Sequence, residues 1–253
     1  TATVSDMNNP ITEVTNLTIG ENMFIWVLDA NGCEDYSRDT VLINVTDVPN
    51  EIANIQNMQT SFCESDANNI LLSADAISEG VGEWTVTSGP STLTFSDPND
   101  ELTNVTGFNT GTYTLAWTLS TADCGTFSND EVVLTIDEQP TDVANAGIDQ
   151  SFCDGVSVST TANTPSIGSG QWNSNTGVTF SNINDPNAEI SGLTQGDNIL
   201  TWTLSNGACQ DYSTDQVVVE ITTAPNEQAA VIQNTISICE GSALAIEAIA
   251  PMA

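Results

Sequence analysis

The segment Leu200-Thr201-Trp202-Thr203-Leu204 alternates apolar and polar side chains around a tryptophan, the pattern of a half-buried β-strand. Similar segments occur earlier, as Phe24-Ile25-Trp26-Val27-Leu28 and Leu115-Ala116-Trp117-Thr118-Leu119. Trp26, Trp117 and Trp202 are 91 and 85 residues apart. A strand-forming unit therefore recurs at a nearly constant interval, and this internal repeat decides the fold.

The three copies match without gaps on both sides of the tryptophan. Each has a glycine six residues before the Trp, a cysteine seven after, a valine fifteen after and a proline twenty-three after. These positions are Gly20, Gly111 and Gly196; Cys33, Cys124 and Cys209; Val41, Val132 and Val217; Pro49, Pro140 and Pro225. A second cysteine follows each Trp by 36 or 37 residues, at Cys63, Cys153 and Cys239. Chance does not produce such a register, so each repeat is one structural unit.

The prolines mark the boundaries between repeats, because proline forms short and fairly stiff linkers. We expect four segments: residues 1–48 form the C-terminal part of repeat 1, 49–138 a complete repeat 2, 139–223 a complete repeat 3, and 224–253 the N-terminal part of repeat 4. The chain has no amphipathic helical periodicity, and each repeat has room for about seven short strands. This all-β pattern predicts tandem immunoglobulin-like β-sandwich repeats, arranged as a rod, rather than a propeller or a solenoid.

The charge of the chain excludes several classes of function. It has 34 acidic residues against one basic residue, Arg38, with no histidine, for a net charge of -33. Nucleic acids and anionic membranes bind proteins through Lys and Arg, so we expect neither partner. Most nucleophilic and phosphoryl-transfer mechanisms need His, Lys or a cationic clamp, and the repeats contain no singular carboxylate pair of the kind glycosidases use. We predict that the chain is not an enzyme and has neither catalytic residues nor a membrane-inserted segment.

Six cysteines without Cys-x-x-Cys spacing favour disulfides in an oxidising compartment over zinc or redox sites. The simplest pairing joins Cys63 to Cys124 and Cys153 to Cys209 within the two complete repeats, leaving Cys33 and Cys239 to pair outside the fragment. This pairing conflicts with an ordinary sandwich, in which those two positions lie at opposite poles. The alternative pairs neighbours in sequence across repeat boundaries: Cys33 with Cys63, Cys124 with Cys153, and Cys209 with Cys239.

The tryptophans and the acidic clusters are the other candidate site residues. We expect the tryptophans to anchor sandwich cores rather than stack on sugars, because they lie within alternating strand patterns: Trp26, Trp84, Trp117, Trp172 and Trp202. We predict no cofactor, although calcium is a candidate ligand for carboxylates near the repeat junctions: Asp97, Asp100, Glu101, Asp137 and Asp142. No segment matches a calcium-binding loop of fixed spacing, and a solvated acidic surface explains the same residues.

The run from Ala146-Gly147-Ile148-Asp149-Gln150 through Gly170-Gln171-Trp172 to Asp215-Gln216-Val217 resembles the PKD-like repeats of Bacteroidota surface proteins, such as the SprB-type gliding adhesins. The likeness extends over nearly the whole chain, with departures at the turn of repeat 2 and at Asn54-Ile55-Gln56. The resemblance implies type IX secretion from a Gram-negative bacterium, an extracellular position at the cell surface, and a role in cell adhesion or gliding motility.

Two functions are consistent with these observations. The first is a structural stalk in an exported surface protein, with neighbouring repeats of the same chain as its partners. The second is a binding module in which pole loops of the sandwiches contact surface polysaccharide or another cell-surface protein; the candidate loops are 87–93 and 173–178.

Overall fold

The computed structural model describes residues 1–154, 156–223, 229–232 and 235–249. The chain divides into two compact units: Thr1–Gln139 with Gly207–Cys209, and Pro140–Asn206 with Gln210–Ala253. The described residues contain strands, turns and bends but no helix, and therefore no helix that could cross a membrane. The predicted all-β class is confirmed.

The first unit begins with two small sheets. Their strands are β1 (Thr3–Val4), β2 (Val14–Thr15), β3 (Gly20–Ala30) and β4 (Cys33–Val45). Strand β1 pairs with β2, and β3 pairs with β4 as a long antiparallel ribbon. Within the described part of the chain, no further strand pairs with this ribbon.

A complete β-sandwich follows in the same unit. Its strands are β5 (Ser61–Cys63), β6 (Ile70–Ser73), β7 (Val81–Ser88), β8 (Thr94–Phe95), β9 (Leu102–Thr106), β10 (Gly111–Thr121) and β11 (Gly125–Asp137). One sheet has the order β5-β11-β10-β7 and the other β6-β9-β8. The core between them contains the fully buried Trp84, Trp117, Tyr113, Leu72 and Leu134. This arrangement of two sheets is immunoglobulin-like.

The second unit contains a sandwich of the same design, except that Cys209, the first residue of its last strand, belongs to the first unit. Its strands are β12 (Gln150–Cys153), β13 (Val158–Ser159), β14 (Ser169–Ser174), β15 (Thr179–Phe180), β16 (Glu189–Ser191), β17 (Gly196–Asn206) and β18 (Cys209–Thr222). The sheets are β12-β18-β17-β14 and β13-β16-β15. Trp172, Trp202, Leu200 and Leu204 lie in the core between them. Each described sandwich thus has the seven strands that the repeat length predicts.

In both sandwiches the first strand runs parallel to the last. Strand β5 pairs with the end of β11, placing Cys63 beside Asp137, and β12 pairs with the end of β18, placing Cys153 beside Thr222. The first-strand cysteine of each repeat therefore lies at the pole where the last strand ends. The hairpin cysteine lies at the start of the last strand, and so at the opposite pole.

The turn between β17 and β18 differs from the one that its Asn-Gly sequence predicts. Asn206-Gly207 is a signature of a turn with positive φ at both central residues, but only Gly207 has positive φ, at 53°. The two-residue turn is instead Gly207-Ala208, since β17 continues through Asn206. Repeat 2 turns differently, through residues 122–124, with Gly125 at φ 68°.

The repeat boundaries at Pro49 and Pro140 stay predictions. The predicted boundary at Pro225 lies outside the described residues.

Candidate functional site

The candidate site is the pole of the first unit where β5 and β11 end. Cys63 is the last residue of β5 and is 4% exposed. It is bonded to Cys209, which is 3% exposed, with 4.6 Å between the two Cα atoms. Residues Gly207–Cys209 belong to the first unit, so both halves of the disulfide lie within it. The two cysteines are separated by 146 residues in sequence and come from different predicted repeats.

This bond replaces both pairings expected from the sequence. Cys33, Cys124, Cys153 and Cys239 are free thiols, so neither the pair Cys63–Cys124 nor the pair Cys153–Cys209 is present. The geometry of the sandwich explains the error: Cys63 lies beside the last residue of β11, whereas Cys124 precedes its first residue. A strand of 13 residues separates them by about 40 Å, against the 4–7 Å that a disulfide allows.

The same separation excludes the bond within repeat 3, where Cys153 lies beside Thr222 at one end of β18 and Cys209 begins the strand. The pairing of sequence neighbours is also absent: Cys209 is bonded to Cys63 rather than Cys239, and the other four thiols are free. The spacing of cysteines along the chain is equally consistent with the two expected pairing schemes and with the observed bond. Only the three-dimensional arrangement of the strands distinguishes them.

The end of β11 holds the hairpin tip through polar contacts as well as the disulfide. The Ala208 amide donates a hydrogen bond to Asp137 Oδ2 at 2.6 Å, and the Ser61 hydroxyl donates to the same oxygen at 3.3 Å. Cys209 Sγ lies 3.6 Å from the Asp137 carbonyl oxygen and 3.4 Å from that of Glu138. A Cβ at position 207 would displace the Asp137 carboxylate, and Gly207 has a positive φ of 53°, so both features favour glycine here. The Asp137 carboxylate therefore helps to hold the hairpin tip in place.

The hairpin cysteine of repeat 2 has an equivalent environment. Cys124 Sγ lies 3.7 Å from Thr46 Oγ1 and 3.8 Å from the carbonyl oxygen of Asp47. Thr46 lies twenty residues after Trp26, and Asp137 lies twenty residues after Trp117. The hairpin tip of repeat 2 thus contacts the end of repeat 1 as Cys209 contacts the end of repeat 2. Cys124 has no sulfur partner there.

Sequence reasoning missed a serine and an aspartate that fix the start of each complete repeat. Ser128 Oγ and Asp130 Oδ2 accept hydrogen bonds from the amides of Ala53 and Ile55, at 2.9 and 2.8 Å. In repeat 3, Ser213 and Asp215 do the same for Ala144 and Ala146, at 2.9 and 2.8 Å. The repeated Ser-x-Asp, eleven and thirteen residues after each Trp, would have identified them, since it also occurs as Ser37-Arg38-Asp39.

Two further carboxylates have a local structural role in loops. Asp142 accepts hydrogen bonds from the amide and hydroxyl of Ser166, at 2.8 and 2.6 Å. Glu51 accepts the same pair from Ser78, at 2.9 and 2.5 Å. Hydrogen bonds from the serine side chain, then from its amide, lower the pKa of each carboxyl below its ordinary value. Both carboxylates are therefore occupied in holding the loop before the Trp-bearing strands β7 and β14.

The remaining calcium candidates also serve turns. Asp97 accepts a hydrogen bond from the Asn99 amide, and Asp100 accepts one from the Leu102 amide. Glu101 is half-buried, and its carbonyl oxygen accepts from the Ala74 amide. In the part of the chain that the structure describes, no three His, Cys, Asp or Glu side chains are grouped so as to hold a metal ion. The calcium hypothesis has no support from the geometry.

Four of the five tryptophans lie between the sheets. Trp84 pairs with Trp117 and Trp172 with Trp202 across neighbouring strands, with ring centroids 5.1 and 4.9 Å apart. All four are at most 2% exposed, so none offers a face for sugar stacking. The indole nitrogens of Trp84 and Trp172 donate to the carbonyl oxygens of Asp100 and Asp185, at 3.1 and 3.0 Å.

Trp26 departs from the predicted core position, since it is 39% exposed. It lines an open cavity of about 530 Å³ together with Val4, Phe24 and Ile43. Among the described strands, β3 pairs with β4 and has no neighbour equivalent to β7, whose Trp84 covers Trp117 in the complete sandwich. No second tryptophan therefore covers Trp26 within the described residues.

The loops proposed for ligand binding contain no aromatic or basic residue. Loop 87–93 is Thr-Ser-Gly-Pro-Ser-Thr-Leu, and loop 173–178 is Asn-Ser-Asn-Thr-Gly-Val. Their polar groups are largely used internally: the Ser91 hydroxyl donates to the Gly107 carbonyl oxygen at 2.7 Å, and Thr176 donates to Asn198 Oδ1 at 3.2 Å. The hydrogen bonds of these loops therefore mainly stabilise the sandwich itself.

No protein-family model matches the chain, and no curated protein matches it in sequence. Several solved structures resemble it at low identity. The fibronectin(III)-like modules of CbhA from Clostridium thermocellum match with a TM-score of 0.47 and 16% identity, over 70% of this chain and 97% of theirs. The N-terminal eight Ig domains of Down syndrome cell adhesion molecule match with a TM-score of 0.41 and 9% identity, over 83% of this chain and 30% of theirs.

A SusE-like, surface-located polysaccharide-binding protein from Bacteroides thetaiotaomicron matches with a TM-score of 0.30 and 14% identity, over 75% of this chain and 37% of its own. The chain spans about a third of the length of this protein and of the eight-domain adhesion molecule. Likeness at this level gives no argument about function.

Proposed function

We propose that this chain is a stalk segment of an exported cell-surface repeat protein that serves adhesion or gliding motility, and that it is not an enzyme. The disulfide Cys63–Cys209 is the observation that supports the proposal, because it joins the first strand of predicted repeat 2 to the hairpin of predicted repeat 3. A covalent bond across repeats opposes the separation of consecutive repeats. A stalk under load needs this resistance, whereas an isolated binding module does not.

The chemistry of the chain supports an extracellular position. Structural disulfides persist in oxidising compartments and are rare in the bacterial cytosol. With a net charge of -33, the chain is repelled by anionic lipid and nucleic acid. Its partners in this proposal are neighbouring repeats of its own chain, and its surface charge keeps the exposed sandwiches soluble.

Binding of polysaccharide or of a surface protein by the pole loops is the competing function. The absence of aromatic side chains from loops 87–93 and 173–178 favours the stalk, since sugars are commonly held by stacking on aromatic rings. A glycan array and a cell-surface binding assay with the 253-residue chain distinguish the two. We expect the folded chain to give no binding signal above that of a Cys209→Ser variant denatured before the assay. Saturable binding of the folded chain to a defined glycan or surface protein would instead favour the binding module.

Surface exposure has a separate test. Antibodies raised against this chain should label intact cells that produce the parent protein, and protease added outside the cells should remove the label. Label that appears only after the cells are permeabilised would contradict the proposed location.

A further inference from the structure

We propose that the hairpin tip of every repeat is a docking element for the preceding repeat, and that the hairpin cysteine bonds there to the first-strand cysteine of that repeat. Cys63–Cys209 is then one member of a series. Cys124 and Cys33 bond to first-strand cysteines of the repeats before them, and Cys153 and Cys239 bond to hairpin cysteines of the repeats after them. This inference does not depend on the proposed stalk function.

The contacts of the two described hairpin tips carry the argument. Cys209 Sγ lies 3.6 Å from the Asp137 carbonyl oxygen, and Cys124 Sγ lies 3.7 Å from Thr46 Oγ1, although the two tips belong to different repeats. Asp137 and Thr46 occupy the same position, twenty residues after Trp117 and Trp26. Cys63 reaches Cys209 because β5 runs parallel to β11 and ends beside Asp137. The place beside Thr46 is therefore where a first-strand cysteine of repeat 1 would meet Cys124.

The first-strand cysteine of repeat 3 has the matching position at its own pole. Cys153 lies beside Thr222, as Cys63 lies beside Asp137, and the amides of the following residues, Asp154 and Glu64, donate to the carbonyl oxygens of Thr222 and Asp137 at 3.1 and 2.9 Å. Cys63 is buried and disulfide-bonded, whereas Cys153 is an exposed thiol. Cys153 thus presents the docking position for a hairpin tip of the next repeat.

The order of the cysteines makes consecutive bonds overlap. Cys153 lies inside the loop closed by Cys63–Cys209, so a bond from Cys153 to the next repeat begins before the preceding loop has ended. Every residue after Cys63 in an array then lies within at least one closed loop. The shortest covalent path along the array runs from Cys63 through the disulfide to Cys209. It continues along residues 210–238 to Cys239 and passes there into the disulfide that Cys239 forms. Most of each repeat is bypassed, so pulling on the array can extend only a small part of the chain while the bonds remain.

Each bond forms by two thiol–disulfide exchanges with a disulfide oxidant, such as oxidised glutathione. The thiolate of one cysteine attacks the oxidant, forming a mixed disulfide and releasing one oxidant thiolate. The thiolate of the second cysteine attacks the protein sulfur of that mixed disulfide and releases the other. The protein thiols lose two protons and two electrons, and the oxidant gains both as two thiols.

A chain lengthened by one repeat tests the series. A second copy of residues 139–223 is inserted between residues 223 and 224. The inserted copy carries Cys153→Ser, so that only the original Cys153 remains. It also carries Thr214→Ser, so that its hairpin peptide is distinguished by mass. The protein is refolded in a glutathione buffer and digested without reduction by an endoprotease that cleaves after glutamate. We expect Cys63 bonded to the hairpin peptide of the original repeat and Cys153 bonded to the lighter hairpin peptide of the inserted copy, with Cys124 still a free thiol.

The matched control replaces the hairpin cysteine of the inserted copy with serine, which should leave Cys153 free without affecting Cys63–Cys209. A bond between Cys153 and the original Cys209, or a Cys153 that stays free when the inserted repeat resists proteolysis, would overturn the inference. The unmodified chain provides a test that needs no new folding: alkylation should count four thiols, at Cys33, Cys124, Cys153 and Cys239. Any bond between Cys63 and Cys124 would also refute the series.

Discussion

At the residue scale, glycine sets the distance between the paired tryptophans of each core. Gly82 and Gly170 lie two residues before Trp84 and Trp172, and a Cβ on either would overlap the indole of Trp117 or Trp202. The indole is packed flat over the glycine backbone, so the overlap involves a large buried ring that has little room to move. The sequence shows Gly-x-Trp twice, but only the packing explains why the first position must be glycine.

Substitution Gly170→Ala should therefore destabilise the second unit by about 1–3 kcal/mol, because it overpacks the core against Trp202. The shift of the unfolding midpoint in urea, followed by tryptophan fluorescence, measures the effect. Ser169→Ala, at the exposed neighbouring position on β14, is the control and should change the midpoint little. An equal effect of both substitutions would mean that the contact with Trp202 does not limit the core.

The serine-bound carboxylates predict a dependence of stability on pH. Hydrogen bonds from Ser78 lower the pKa of Glu51 from its ordinary value of 4.5. The folded state thus favours the carboxylate, and this contribution is fully present above pH 4.5 and is lost as the pH falls through the lowered pKa. Glu51→Gln should lower the urea midpoint at about pH 7, and the difference from the unaltered chain should shrink as the pH falls below 4.5 and through the lowered pKa. Glu83→Gln, at an exposed carboxylate on β7, makes the same change of charge without removing a bond to Ser78 and is the matched control.

At the scale of strands and hairpins, alternation around the tryptophans predicted the elements well. Residues 198–204 and 216–221 alternate and lie in β17 and β18. Short strands such as Thr179–Phe180 are too brief for a two-residue period to be recognised. The disulfide could not be predicted, because it depends on which distant cysteine reaches the pole where Cys63 lies, and local sequence contains no record of that.

Loss of the disulfide should weaken the unit that contains it. The bond closes a loop over a sequence separation of 146, so Cys209→Ser should destabilise the first unit by about 2–5 kcal/mol through the entropy of the unfolded chain. Chemical denaturation under non-reducing conditions measures this. Cys153→Ser makes the same chemical change at an exposed free thiol and should have little effect. Reductant should abolish the difference between the unaltered chain and Cys209→Ser; a difference that persists would assign the effect to packing at position 209.

The hairpin tip has a contribution of its own through Asp137. Replacing Asp137 with alanine removes the 2.6 Å hydrogen bond from the Ala208 amide and leaves that amide without its carboxylate partner. We expect Asp137→Ala to lower stability by about 1–3 kcal/mol and to slow formation of Cys63–Cys209 during refolding, because the tip is seated less firmly. Alkylation of free thiols at intervals during refolding measures the rate. Asp149→Ala removes a comparable carboxylate contact, to the Val218 amide on β18, and should leave the rate of bond formation unchanged.

At the scale of the whole molecule, the disulfide determines how far the chain can be extended. When the two ends of the oxidised chain are pulled apart, the residues between Cys63 and Cys209 bear no load, since the disulfide carries it. A sequence separation of 146 at 3.3–3.6 Å per residue corresponds to about 500 Å of chain that stays hidden. Single-molecule stretching should show a fully extended oxidised chain about 500 Å shorter than the reduced one. Cys209→Ser should reach the longer length with or without reductant, and Cys153→Ser should behave like the unaltered chain. If the unaltered chain has equal lengths before and after reduction, no disulfide spans the two repeats. The mechanical argument for a stalk would then fail as well.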